Sequence, residues 1–140
     1  MNASGLRVDG RRPKETRRVR CALGVLERSD GSAIFELGNT RVIACVVGPA
    51  EARRSIGLDS GIASVVCEFS TAAFATPERR VRRPGDRRAA EAAATIQQCF
   101  ESVIQRHLYP KSEIGIYIQV LQSDGGAISG MYHFSAWTWI

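Results

Sequence analysis

Residues 89–108, AAEAAATIQQCFESVIQRHL, are followed closely by residues 114–121, IGIYIQVL, and these two stretches decide the fold class. The first stretch predicts an amphipathic helix because its apolar residues recur at steps of three and four. Those residues are Ala89, Ala93, Ile96, Phe100, Val103, Ile104 and Leu108. Asp86 is a candidate N-cap, and Tyr109 and Pro110 are expected to close the helix. The second stretch predicts a strand with alternate residues on one apolar face.

Four strand-like runs precede the helix. Residues 17–26 show only a ragged strand pattern, and residues 32–37 show the alternating pattern of a strand. The other two runs, residues 40–47 (TRVIACVV) and 62–69 (IASVVCEF), are rich in Val and Ile. Turn residues separate the second and third runs, and Gly48 and Pro49 are expected to end the third. The short spacing predicts an antiparallel meander. The fold class expected is therefore α+β, a mostly antiparallel sheet with one long helix.

Composition favours one compact domain and leaves its partner open. Of 140 residues, 44% are apolar and 24% charged, and no apolar run is long enough to cross a membrane. The start of the chain lacks the apolar centre of a signal peptide, which favours an intracellular protein. Seventeen of the 19 cations are Arg, and the net charge is +5. This balance fits either a nucleic-acid partner or a solvated surface. The four Cys are isolated in sequence, which predicts reduced thiols rather than a zinc site.

Arg87 and Arg88 are the strongest candidate binding residues. They fall in the first turn of the predicted helix, where the helix dipole disfavours each cation by roughly 0.3–1 kcal/mol. Two adjacent cations in the first turn of a helix therefore predict a phosphate site. Arg82 and Arg83 precede them in a cationic run, residues 76–88. A solvated charge run is the alternative interpretation.

Two further sets of residues are weaker candidates. Arg53 and Arg54 form a loop pair that could guide a single strand, although an ordinary exposed loop is the simpler interpretation. Asp124 follows the last strand, and the backbone of Gly125 and Gly126 could approach an anion. Most such triplets are plain turns. His107 lies near the expected helix end, where capping is a simpler role than catalysis.

Six ordered motifs resemble the N-terminal part of the RNase PH family, in the branch that builds the exosome ring. They are residues 8–13 (VDGRRP), 30–33 (DGSA), 38–40 (GNT), 48–49 (GP), 84–88 (PGDRR) and 119–126 (QVLQSDGG). The resemblance covers about residues 6–126. It implies half of an RNase PH-like domain with a ribosomal protein S5 domain 2-like fold, in residues 1–126, followed by a divergent tail, residues 127–140.

The resemblance also implies a function. Family members form a six-subunit ring through which RNA threads 3′ end first, so Arg87 and Arg88 match an RNA-binding pair and Arg53 and Arg54 match a pore-neck loop. The implied partners are RNA, other RNase PH-like subunits in a hetero-hexameric ring, and S1/KH cap subunits, without a membrane. The implied locations are the nucleus, nucleolus and cytoplasm.

The resemblance favours a ring subunit that binds RNA without catalysis and acts on rRNA and mRNA 3′ ends. Active members carry a small hydroxyl residue and an Arg after the Gly pair, whereas this chain has Ala127 and Ile128, and their catalytic Asp residues lie beyond the matched part. No cofactor is then expected. One alternative is a phosphorolytic 3′-to-5′ exoribonuclease using inorganic phosphate and magnesium; another is a stand-alone RNA-binding module.

Overall fold

A computed structural model of the protein describes residues 7, 10–51, 61–76 and 86–124. The elements in chain order are β1 (Val19–Leu23), β2 (Gly31–Leu37), β3 (Thr40–Glu51), β4 (Ser64–Thr71), α1 (Arg87–Val103), a 3₁₀ turn (Arg106–Leu108) and β5 (Ser112–Gln122). The expected order of four strands, one helix and one strand is confirmed. The expected strands and helix are all present, with shifts at several ends.

The five strands form one mixed sheet in the order β1-β2-β3-β5-β4. The first three strands are an antiparallel meander, and β5 continues the antiparallel pairing on β3. The prediction that β4 extends the meander is wrong, because β4 pairs with β5 in parallel. The chain leaves β4, passes through α1 and returns as β5 in the same direction, which is the long crossover that a parallel pair needs.

One face of the sheet carries the core. Alternate residues of β5 point to this face and are buried, from Ile114 to Val120, as the alternation predicts. Phe35 of β2 and Val42 of β3 lie on the same face and are 1% and 0% exposed. Helix α1 packs beside β4 and contributes Ile96 and Phe100, its two buried residues, to this core.

The helix ends earlier than its periodicity predicts. Ile104 has an extended backbone and stands as the C-cap, with its N–H donating to the Phe100 carbonyl at 2.9 Å. The chain then makes the separate 3₁₀ turn. Val103, the last residue of α1, and Leu108, in the 3₁₀ turn, are 56% and 57% exposed, so the predicted burial of these two residues is wrong. His107 lies in the 3₁₀ turn and is exposed, not at the end of α1.

Strand β3 does not end at Gly48. It runs to Glu51 with a shift of register against β5 between Val47 and Ala50. Gly48 has φ of 119°, a conformation that side chains disfavour, and this lets the strand bend and continue. The Asp30 carboxylate accepts the Gly48 N–H at 2.8 Å and joins this bend to the β1–β2 connection.

The cysteines are free thiols in the structure. Cys21 and Cys99 are exposed, while Cys45 and Cys67 are half-buried within strands. Burial raises the pKa of the Cys45 thiol and raises the pKa of Cys67 to about 11, so both thiols stay protonated at neutral pH. The residues described contain no cluster of three metal-ligating side chains. Among these same residues, no helix is long and apolar enough to span a bilayer.

Candidate nucleic-acid interface

The N-terminus of α1 is capped as the sequence predicts. Asp86 has an extended backbone, and its carboxylate accepts the N–H of Arg88 at 3.1 Å. Its carbonyl accepts the N–H of Ala90 at 3.0 Å, which begins the helical ladder. This explains why the helix begins at Arg87, two residues before its apolar periodicity.

The first turn of α1 contains two cations and no acidic residue. Arg87 and Arg88 are both exposed there. Arg87 Nε lies 3.4 Å from Glu91 Oε1, but the two side chains are 92% and 69% exposed. An ion pair between such exposed groups contributes little and gives way readily to another anion. The arrangement therefore presents two guanidinium groups at the positive end of a helix dipole.

This helix end lies at the carboxyl ends of β4 and β5. At the other end of α1, the Arg106 carbonyl accepts the N–H of Ala63, the residue before β4. The 17 residues of α1 span about 25 Å at 1.5 Å each. The 8 residues of β4 span nearly the same length, about 26 Å. Because the C-terminal end of α1 is bonded to the start of β4 and α1 packs along β4, the helix runs antiparallel to this strand. Arg87, at the other end of α1, therefore lies near the carboxyl end of β4.

The same edge holds a hydrogen-bonded cluster around Asp124. Asn39 Nδ2 donates to Asp124 Oδ2 at 3.2 Å, and the Asp124 N–H donates to the Thr40 hydroxyl at 3.3 Å. The Arg17 guanidinium donates to the Asp124 carbonyl at 3.4 Å. Thr40 is 1% exposed and is the buried polar residue among those described. These bonds fix the backbone at the point where the chain leaves β5.

Ser123 ties the end of β5 to the segment that follows β4. Its N–H donates to the Ala75 carbonyl at 2.8 Å, and the N–H of Ala72 donates to the Val120 carbonyl at 2.9 Å. The turn after β5 is therefore anchored both to the β2–β3 turn and to the chain leading towards α1. A ligand at this edge would meet a fixed backbone rather than a loose loop.

The structure places some of the predicted site residues at the same end of the sheet. Arg87, Arg88 and Asp124 lie at the carboxyl ends of β4 and β5, and the Asp124 carboxylate is already bonded to Asn39. The remaining candidates lie outside the residues described: Arg53, Arg54, Arg82, Arg83, Gly125 and Gly126.

Three residues at this edge were not predicted as site residues: Arg17, Asn39 and Thr40. The turn GNT at residues 38–40 was the available signal, since it is one of the six motifs quoted above. Its contact with Asp124 joins positions 85 apart in the chain, a pairing that sequence spacing does not indicate.

Comparison with known families agrees with this architecture. The family described as the 3′ exoribonuclease family, domain 1, matches residues 15–134. The chain belongs to the RNase PH family. The match covers all the strands and the helix of the structure, so the α+β RNase PH fold predicted from the six motifs is confirmed.

The relatives of this RNase PH chain include exosome subunits. It is 47% identical over 130 residues to the exosome complex component RRP41 homolog of Arabidopsis thaliana, covering 92% of this chain and 54% of that protein. It is 45% identical over 128 residues to human exosome complex component RRP41, covering 90% and 52%. The crystal structure of rice (Oryza sativa) Rrp46 superposes with a TM-score of 0.72 at 26% identity, covering 89% and 55%. The chain thus spans about half the length of the relatives it matches.

Proposed function

We propose that this chain is an RNA-binding subunit of an exosome ring and that it holds single-stranded RNA on Arg87 and Arg88. The observation that carries the proposal is the pair of exposed cations in the first turn of α1. Each is disfavoured there by roughly 0.3–1 kcal/mol, so their position is poor for folding and suited to phosphate. The family description, a 3′ exoribonuclease family, supports RNA as the polyanion.

The anchored edge around Asp124 supports the same proposal. RNA that follows the Arg pair would pass the backbone fixed by Asn39 and Thr40, with Arg17 adding a third cation. Arg53, Arg54, Arg82 and Arg83 are proposed to extend the cationic path, and the backbone of Gly125 and Gly126 to approach a phosphate. Binding of this kind depends on charge and is largely independent of sequence.

The wider assembly is proposed from the relatives named RRP41. The partners would be other RNase PH-like subunits in a hetero-hexameric ring, with S1/KH cap subunits. The substrates would be the 3′ ends of rRNA and mRNA. The nucleus, nucleolus and cytoplasm are the proposed locations.

We further propose that the chain does not itself degrade RNA and needs no cofactor. Ala127 and Ile128 stand where the resemblance implies a hydroxyl residue and a phosphate-holding Arg. Incubation of the purified chain with RNA, inorganic phosphate and magnesium is expected to release no nucleoside diphosphate. Release that depends on phosphate would contradict this part of the proposal and identify a phosphorolytic enzyme.

Filter binding of a single-stranded RNA across a salt series tests the RNA site. The double variant Arg87→Ala, Arg88→Ala should lose two phosphate contacts, which makes the negative slope of log affinity against log salt shallower by about 1.4 for a single strand. The matched control is Arg28→Ala, Lys111→Ala. It removes two exposed cations at the opposite edge of the sheet, where β2 and β5 begin. Equal slopes for both double variants would refute the role of the Arg pair.

Size-exclusion chromatography with a partner RNase PH-like subunit tests ring membership separately. A mixed complex is expected. If the chain binds RNA but remains a monomer beside that partner, it is a stand-alone RNA-binding module, and the ring part of the proposal fails while the RNA part survives.

A further inference from the structure

An apolar groove lies at the opposite edge of the sheet from the Arg pair. It has a volume of about 840 Å³ and runs between the sheet and the C-terminal end of α1. Leu23 and Val46 line the sheet side, Val103 and Leu108 line the helix side, and Ile116 lies at its base. Leu23, Val103 and Leu108 are 60%, 56% and 57% exposed. Exposed apolar patches of this kind mark a surface that something covers.

The chain itself contains a segment of matching chemistry. Residues 125–140, GGAISGMYHFSAWTWI, include no Asp, Glu, Lys or Arg, and four of the chain's aromatic residues lie at positions 132–139. Burying residues 131–139 removes no Asp, Glu, Lys or Arg side chain from water and yields a large apolar area per aromatic side chain. The other segments outside the described residues suit the groove less well, since residues 52–60 and 77–85 carry Arg, and residues 1–6 and 8–9 contain no aromatic side chain.

The segment is also long enough to reach the groove. Asp124, the last residue described, is eight positions beyond Ile116, which is about 27 Å along an extended strand. Tyr132 is eight positions beyond Asp124, so an extended chain that doubles back reaches Ile116 at Tyr132. Trp137 and Trp139 can also reach the groove, because the 15 residues from Asp124 to Trp139 extend to at most about 50 Å, more than the ~27 Å to Ile116.

We propose that the groove between β1–β3 and the C-terminal end of α1 binds this chain's own aromatic segment, residues 131–139. The aromatic side chains then cover Leu23, Val103 and Leu108 in cis. The groove would be closed without a partner, at the edge of the sheet opposite to the Arg pair. RNA bound at Arg87 and Arg88 would leave it undisturbed.

Tryptophan fluorescence of the full chain tests the proposal, because the chain has two Trp residues and both lie in the segment. The wild-type emission should be blue-shifted relative to unfolded chain and protected from acrylamide. Leu108→Asp and Leu23→Asp place a charge on opposite walls of the groove. Each should shift the emission to the red and raise the quenching constant, with far-UV circular dichroism reporting that the sheet is retained.

The matched control is Val66→Asp. Val66 is another half-exposed apolar residue, 42% exposed, but it lies on the other face of the sheet because its neighbour Val65 is buried in the core. The control should leave the emission unchanged. If Val66→Asp shifts the emission and the two groove variants do not, the segment covers the face of the sheet opposite to the groove, and the proposal is refuted.

Two further outcomes distinguish other occupants of the groove. Protection that disappears on dilution would show that a second copy of the chain supplies the segment, which contradicts binding in cis. Wild-type emission equal to that of the unfolded chain, together with ANS binding that Leu108→Asp abolishes, would show that the groove is empty and open to a partner. A blue-shifted emission that is independent of concentration and lost in both groove variants confirms the proposal.

Discussion

Reversing one charge at the start of α1 should move stability and RNA binding in opposite directions. Arg88 is exposed in a first turn without an acidic residue, and its N–H is already satisfied by Asp86. Arg88→Glu removes an unfavourable cation and adds a favourable anion. Each change is worth about 0.5 kcal/mol within the usual range for an exposed helix end. The new carboxylate also lies three positions before Glu91 on the helix, and their repulsion costs about 0.2–0.5 kcal/mol, so the free energy of unfolding should rise by roughly 0.5–0.8 kcal/mol.

The gain is measurable by urea unfolding. The midpoint concentration should rise without a change in the m-value, since the surface exposed on unfolding stays the same. The melting temperature should rise by about 2–3 °C for a chain of this size. In the same samples, RNA affinity should fall, and the negative slope of log affinity against log salt should become shallower by about 0.7, the value of one lost phosphate contact on a single strand.

Arg87→Glu is an informative companion to this variant. Its guanidinium is 3.4 Å from Glu91, so the reversal places two carboxylates four positions apart on the helix. Their repulsion costs about 0.2–0.5 kcal/mol, and the existing Arg87–Glu91 ion pair is lost as well, so the stability gain should be smaller than that of Arg88→Glu, while the loss of RNA binding is the same. If Arg88→Glu lowers both stability and RNA binding, or leaves the salt slope unchanged, the interpretation of the Arg pair as a phosphate site is refuted.

Two other predictions concern the fold. Gly48→Ala should destabilise the protein by about 1–3 kcal/mol, because φ is 119° and the new Cβ would lie 2.7 Å from the Glu113 carbonyl; Gly31→Ala, whose Cβ meets Val46 at 3.9 Å, should change the urea midpoint far less. Raising the pH from 9 towards 11 should cost wild type more stability than Cys67→Ala, because the pKa of the folded thiol is raised from 9.0 to about 11 and the unfolded thiol ionises first. Urea midpoints at about pH 8 and about pH 10.5 measure this, and equal losses in the two proteins would contradict it.

Local features of the site could be predicted from the sequence. The cap on Asp86 involves a hydrogen bond to a residue two positions away, and the cationic first turn follows directly from it. The buried face of β5 follows from simple alternation. The apolar spacing predicts the end of α1 five residues too late, because Ile104 and Leu108 continue that spacing although the backbone leaves the helix at Ile104.

The sequence by itself determined the strands, the helix and the cationic helix end, because each depends on residues that lie only a few positions apart in the sequence. Only the tertiary structure decided that β5 lies between β3 and β4, that β4 runs parallel to β5, and that Asn39 meets Asp124. The physical reason is that any apolar strand can pair on either side of another. The choice depends on which arrangement buries the most side chains once α1 has covered β4, and this is a property of the whole packed chain.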